Sequence, residues 1–327
     1  MQDDRLNRLA RLLVTYSARL KKGEKVLLEI KNPDDTCFMK YLVEETLRAG
    51  AVPIPLITDD RAVRNLIAGA DEAQMKTFGK VHLSLMKQMD AYIGIRGARN
   101  VFQTAGLASD KLKNYRLNFM QPVHMEWRVP KTKGVVLRWP NDSMAQLAEM
   151  PTEAFEDFYF RTCTMDYAKM SRAMDPLVKL MQRTDKVRLT APGTDISFSV
   201  KKIPAIKCDG RLNIPDGEVF TAPVKTSING TIKFNTPSLQ DGEIYNDITL
   251  TYRDGKLASC STTSDQKKLE KIFESDAGAK YVGEFAIGVN PYIRKPMKDT
   301  LFDEKIYGSI HFTPGNAYDD ADNGNRS

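Results

Sequence analysis

Histidine is scarce in this chain. Only His82, His124 and His311 occur among 327 residues, so imidazole chemistry has three possible addresses. The four cysteines, Cys37, Cys163, Cys208 and Cys260, form no C-x-x-C pair, which argues against a zinc knot and a disulfide scaffold and for reduced thiols. No apolar run approaches the roughly 18 residues a membrane-spanning helix needs. The start, Met-Gln-Asp-Asp, leads into a charged amphipathic helix rather than a basic segment and an apolar stretch. These absences place the expected protein in the cytoplasm, without a membrane partner. Repeats and low-complexity segments are missing as well.

A large excess of one charge sign is also lacking. Forty-eight Lys and Arg face 42 Asp and Glu, for a formal net charge of +6, and the signs alternate along the chain. Lys201-Lys202 and Lys267-Lys268 are isolated pairs without interleaved aromatics and read as solvated faces, so no nucleic-acid partner is expected. The 42% hydrophobic content supplies a sizeable core, and this length suits two domains better than one.

The expected fold class is α/β: an N-terminal α/β domain with a mostly parallel sheet over 1–184, then a strand-rich α+β domain over 185–327. Leu6, Leu9, Leu12, Leu13 and Tyr16 recur at helical spacing before Lys22-Gly23, and Val26–Ile30 reads as a buried strand. Asp34 is placed to cap a second helix with Phe38, Tyr41, Leu42 and Leu47 on its apolar side, ending at Gly50 before a strand over 52–57. Helices over 71–86 and 111–127, strands over 91–95 and 135–138, and a last long helix over 165–181 continue the alternation. Gly94-Ile-Arg-Gly97 lacks the third glycine of a dinucleotide fingerprint and reads as a turn, with no cofactor loop. Beyond Asp185, strands over 187–190, 196–200, 230–234, 248–252 and 281–287 are separated by turns at Pro192-Gly193, Asp209-Gly210, Asp241-Gly242 and Asp254-Gly255. One helix intervenes over 266–275. The polar end, from Asp319, is not expected to hold a fixed shape by itself.

His82, in an amphipathic helix, and His124, after Pro122, read as surface or core-edge residues. His311 lies at a strand end, after Asp303-Glu304 and before Pro314-Gly315 and Tyr318, where sites are commonly built. Glu218, in Pro-Asp-Gly-Glu-Val-Phe, and Glu284, in Val-Gly-Glu-Phe-Ala-Ile-Gly, are single carboxylates in otherwise apolar strands, which is costly without a partner. A divalent cation bound by both carboxylates and the imidazole would satisfy all three. Outward-facing glutamates, or pairing with arginine, would satisfy the same pattern.

The strings Gly193-Thr-Asp-Ile-Ser-Phe, Asn213-Ile-Pro-Asp-Gly-Glu-Val-Phe-Thr-Ala-Pro, Gly283-Glu-Phe-Ala-Ile-Gly-Val-Asn-Pro, Thr300-Leu-Phe-Asp-Glu-Lys and Gly308-Ser-Ile-His occur in one order. In them the chain resembles the thermophilic metalloaminopeptidases of the aminopeptidase T and aminopeptidase S group. The N-terminal half is similar only in general texture. The resemblance implies Glu218, Glu284 and His311 as metal ligands and Tyr318 near the reacting carbonyl. It makes Glu284 and Glu304 candidates for proton transfer, although Glu304 paired with Lys305 at the surface is the alternative. It further implies two divalent ions (zinc, cobalt, manganese or magnesium), short peptide substrates and a homodimer. Family members continue past an Asn-x-Ser string like Asn325-Arg326-Ser327 to a His-x-Asp pair that completes the metal ligands. The C-terminal domain is therefore expected to be incomplete at Ser327, either as part of a longer protein or as a shortened form. Thr313-Pro314 replaces the family's small apolar pair. A non-catalytic peptide-binding or scaffold protein that has lost the full metal site, and a hydrolase of another amide or ester, are the rival readings.

Overall fold

The computed structural model describes residues 3–32, 37–100, 102–240 and 243–327, without the Cys37 side chain. The chain falls into two compact units: Met1–Met165 with Gly210–Pro215, and Asp166–Asp209 with Asp216–Ser327.

In the first unit, Val26–Ile30 is buried at every position, because both faces of a parallel sheet are covered. That strand, Lys25–Lys31, pairs in parallel with Val52–Thr58 on one side and Ala91–Arg96 on the other. Lys133–Arg138 and the short Asn213–Ile214 extend the sheet, also in parallel. Helices alternate with the strands, and short polar side chains start some of them: Asp71 caps Glu72–Lys87 in a reciprocal capping box with Gln74, and Asn141 caps Asp142–Leu147.

Several expectations for this unit need correction. A helix over Asp60–Gly69 was not foreseen, although Asp59 accepts the backbone N–H groups of Arg61 and Ala62 as its cap. Gly94 lies inside the strand Ala91–Arg96 rather than in a turn. Leu47 is 59% exposed, on the outer side of the helix Cys37–Arg48. The helix around Pro122 has a wider, π-helical winding over Arg116–Arg128, which buries His124 beside Phe119. The cap expected at Asp34 and the turn expected at Asp241-Gly242 lie outside the described residues.

The second unit opens on the helix Tyr167–Arg183, capped by Asp166 and burying Tyr167, Met170, Met174 and Met181. An antiparallel sheet of five strands runs in the spatial order Lys256–Ser261, Thr249–Arg253, Asn229–Lys233, Thr194–Ser199 and Lys186–Ala191. A four-stranded antiparallel sheet has the order Ile310–Pro314, Val282–Gly288, Glu218–Thr221 and Ile206–Cys208. Phe285 and Phe312 leave one face of the four-stranded sheet and pack with Phe198 and Tyr252 of the five-stranded one. The polar tail is held rather than loose: Asn325 is fully buried, and its amide donates to the carbonyls of Gly278 and Gly315. Among the described residues, no helix is long and apolar enough to cross a membrane.

Candidate metal centre

Strand alternation puts the site on the face opposite Phe285 and Phe312. Glu284, Ala286 and Gly288 share that face; His311 stands beside Ala286, and Glu218 beside Gly288. Phe220 neighbours Ala286 on the adjacent strand, and Cys208 neighbours Glu218 on the next. The middle strand thus supplies Glu284 and, beside His311 and Glu218, the small residues Ala286 and Gly288.

Two glycines let loops close over this face. A Cβ at Gly283 would stand 2.2 Å from the carbonyl oxygen of Asn316, so only glycine admits the loop that leads to Tyr318. A Cβ at Gly288 would stand 2.2 Å from the carbonyl oxygen of Ile306 and 2.9 Å from the carbonyl carbon of Lys305. That approach brings residues 304–306 across the strand end, where Asn290 N–H donates to the Lys305 carbonyl.

One ligand atom each of Glu218, Glu284 and His311 lies within 4.8 Å of the others. His311 Nε2 is 3.4 Å from Glu218 Oε2 and 3.5 Å from Glu284 Oε1, too long for good hydrogen bonds. Both imidazole nitrogens and Glu218 Oε2 are buried without a hydrogen-bond partner. Orphaned buried polar atoms are costly. Two carboxylates and an imidazole at this spacing fit a divalent ion, which would satisfy them together. Burial alone pushes the His311 imidazole down, but the carboxylates of Glu284, Glu218 and Glu304 outweigh it, and the net shift is upward.

Glu304 does pair with Lys305, but not at the surface. The Lys305 side chain is wholly buried, and its Nζ donates to Glu218 Oε1 at 2.9 Å and to Glu304 Oε2 at 2.8 Å. Burial opposes its charge, yet Glu218, Glu304 and Asp216 hold the ammonium well above the usual lysine range. Asp216, also fully buried, was not singled out in the sequence. Its N–H donates to the Tyr167 hydroxyl, and its carbonyl accepts the Asn290 amide. Asp216, Cys208 and Glu218 form a second close group, one ligand atom of each within 4.8 Å of the others. Burial first, then Asp216 and Glu218, push the Cys208 thiol well above its ordinary range.

Tyr318 packs on Phe220 in a tilted arrangement, ring centroids 5.4 Å apart and planes at 58°, and remains 59% exposed. Desolvation at the phenol, then Glu284, Glu304 and Glu218, push its pKa up to about 12, which keeps it a donor at neutral pH. The remaining histidines stand apart in the first unit. His82 packs on Phe78 and Phe119, and His124 Nδ1 accepts from Arg128 Nε at 3.1 Å.

The fold and this carboxylate–imidazole cluster define a class, that of proteins with a buried site suited to a divalent metal ion. A family model described as thermophilic metalloprotease (M29) matches residues 2–327, and the chain belongs to that family. Membership implies a divalent metal cofactor. Aminopeptidase PepS of Streptococcus thermophilus is 23% identical over 96% of this chain and 84% of its own length. Aminopeptidase 2 of Geobacillus stearothermophilus is 33% identical over 113 residues, 32% of this chain and 26% of that protein. The latter match therefore spans about a quarter of its relative. The solved structure of wild-type AmpT from Thermus thermophilus superimposes with a TM-score of 0.82 at 20% identity, covering 98% of this chain and 87% of that one. A 2,5-dihydroxypyridine dioxygenase from Pseudomonas putida KT2440 shares the fold at a TM-score of 0.59 and 13% identity.

Proposed function

We propose that this chain is a metal-dependent aminopeptidase that releases N-terminal amino acids from short peptides, with Glu218, Glu284 and His311 as metal ligands. The observation that carries the reading is their convergence from three neighbouring strands, with Glu218 Oε2 and both His311 nitrogens buried and without a hydrogen-bond partner. We place the catalytic part in the strand-rich segment after residue 184.

A divalent ion bound there supplies Lewis-acid polarisation of the scissile carbonyl and lowers the pKa of a bound water. In the proposed reaction, Tyr318 keeps its proton and donates a hydrogen bond to the oxyanion that develops on the carbonyl. Glu284 or Glu304 accepts a proton from the attacking water and passes it to the leaving amine. Glu304 is held toward the site by Lys305 and remains 29% exposed, which suits a group that exchanges protons with substrate. A second ion of a two-metal centre would draw on further ligands. Zinc, cobalt, manganese and magnesium remain the candidate ions, since carboxylate and imidazole donors serve several.

A homodimer is a proposal that rests on the family resemblance, and a cytoplasmic location is one that rests on the scattered, unpaired cysteines; sedimentation of the full protein tests the first. The activity test is amino-acid release from leucine- or methionine-starting dipeptides with and without chelator. Chelator-sensitive release is expected. Full activity retained by both Glu218→Gln and His311→Ala would sink the site assignment, and an absence of release with every candidate metal would favour a peptide-binding role.

A further inference from the structure

We propose that Lys305 is a positioning residue for Glu218, a clamp that occupies one carboxylate oxygen and leaves the other as a single-oxygen ligand aimed at His311 and Glu284. The inference deepens the metal reading above and rests on it.

The clamp follows from the distances. Lys305 Nζ, at the end of a side chain with no exposure, donates to Glu218 Oε1 at 2.9 Å. The other oxygen, Oε2, is buried, has no hydrogen-bond partner, and lies 3.4 Å from His311 Nε2. One oxygen is thus engaged, and its twin is free on the side where Glu284 and His311 gather. The ammonium cannot readily leave. Gly288 admits the 304–306 backbone against the strand, the Lys305 N–H donates to Phe302 carbonyl, and its carbonyl accepts from Asn290. Glu304 holds a second N–H of the same ammonium at 2.8 Å.

This arrangement has a consequence for the neighbouring group of Cys208, Asp216 and Glu218. These three donor types within 4.8 Å of one another would suit a second, thiolate-ligated ion. The buried ammonium, 2.9 Å from Glu218 Oε1 and 2.8 Å from Glu304 Oε2, supplies the positive charge that such an ion would bring. A cation entering there would meet repulsion from Lys305 and find Glu218 already bonded. Lys305 therefore keeps the ion on the His311 side of Glu218 and keeps the Cys208 thiol out of the metal's coordination.

Cobalt(II) serves as the probe, because a thiolate ligand adds an intense near-ultraviolet charge-transfer band that oxygen and nitrogen ligands do not. The full-length protein is stripped with chelator, titrated with cobalt(II), and followed by absorption. In wild type the expected spectrum has visible ligand-field bands and no thiolate band. In Lys305→Met a thiolate band should appear and should vanish again in the Lys305→Met/Cys208→Ser double variant. A thiolate band in wild type, or none in a folded Lys305→Met protein, would overturn the clamp while leaving the metal reading intact. Failure of wild type to bind cobalt would instead overturn the metal reading, and the clamp with it. Should Lys305→Met not fold, the wild-type spectrum and Lys305→Gln decide. Lys305→Gln removes the charge but keeps a donor, so a thiolate band in it supports the exclusion of the ion by charge, and a thiolate band already present in wild type overturns the clamp.

Discussion

Glu218 is the residue on which the site turns. It sits at the first position of its strand, is buried, touches Lys305 through one oxygen, and faces His311 with the other. Glu218→Gln keeps the shape and removes the charge. Metal affinity should fall by at least the roughly 10–100-fold that loss of a ligand's supporting partner costs, as measured by competition with a chromophoric chelator. Tyr318→Phe separates chemistry from binding. It deletes only a hydroxyl from a residue 59% exposed, so denaturant midpoints should hardly move. Under the proposed mechanism kcat should drop by about 10²–10³, the usual cost of an oxyanion donor. An unchanged kcat would remove Tyr318 from the reaction.

At the scale of elements, the strand Val282–Gly288 explains which parts of the molecule were legible in the sequence. Its apolar alternation around Glu284 marks a buried strand with one misplaced carboxylate, and the Glu218 and His311 settings carry comparable oddities. Periodicity likewise exposed the parallel strands of the first unit, because buried runs such as Val26–Ile30 are bounded by clear turn residues. Lys305 was not legible. A lysine beside a glutamate in sequence reads as a surface pair, and only the close approach at Gly288 turns its side chain inward. Asp216 was hidden for a similar reason, since Pro-Asp-Gly suggests a solvated turn, whereas Asn290 and Tyr167 bury it. The tail looked too polar to be fixed, but Asn325 gains carbonyl partners that only the folded unit provides. Gly288→Ala tests the element-level account. The added methyl would overlap the Ile306 carbonyl, and overpacking of that kind costs about 1–3 kcal/mol or more. Urea unfolding should show the loss, and cobalt spectra should change because residues 304–306 must move. A variant with wild-type stability and spectrum would refute the role assigned to that approach.

On the scale of the whole molecule, two ionisable groups, buried His124 and half-buried Asp303, give stability opposite dependences on pH, one in each unit. In the first, burial and then Arg128 lower the pKa of His124 to about 3, while an unfolded histidine titrates near 6.5. The unfolded chain therefore binds the extra proton as pH falls from about 6.5 to about 3, and His124 costs stability across that window. In the second unit, burial first, with Asp299 adding to it, raises Asp303 to about 7, against about 3.9 when unfolded, even though it accepts the Met297 N–H. Here the folded state keeps its proton longer, so stability is highest below about pH 4 and is lost as pH rises toward 7. Each group can contribute a slope of up to about 1.4 kcal/mol per pH unit, and between pH 4 and 6.5 the two oppose each other. Asp303→Asn keeps an acceptor for Met297 and cannot ionise. The stability difference, variant minus wild type, measured by urea unfolding at stepped pH, should rise from pH 4 to 7 and then level off. A flat difference across that range would mean that Asp303 titrates as an ordinary carboxylate and that its burial exerts no hold on the proton.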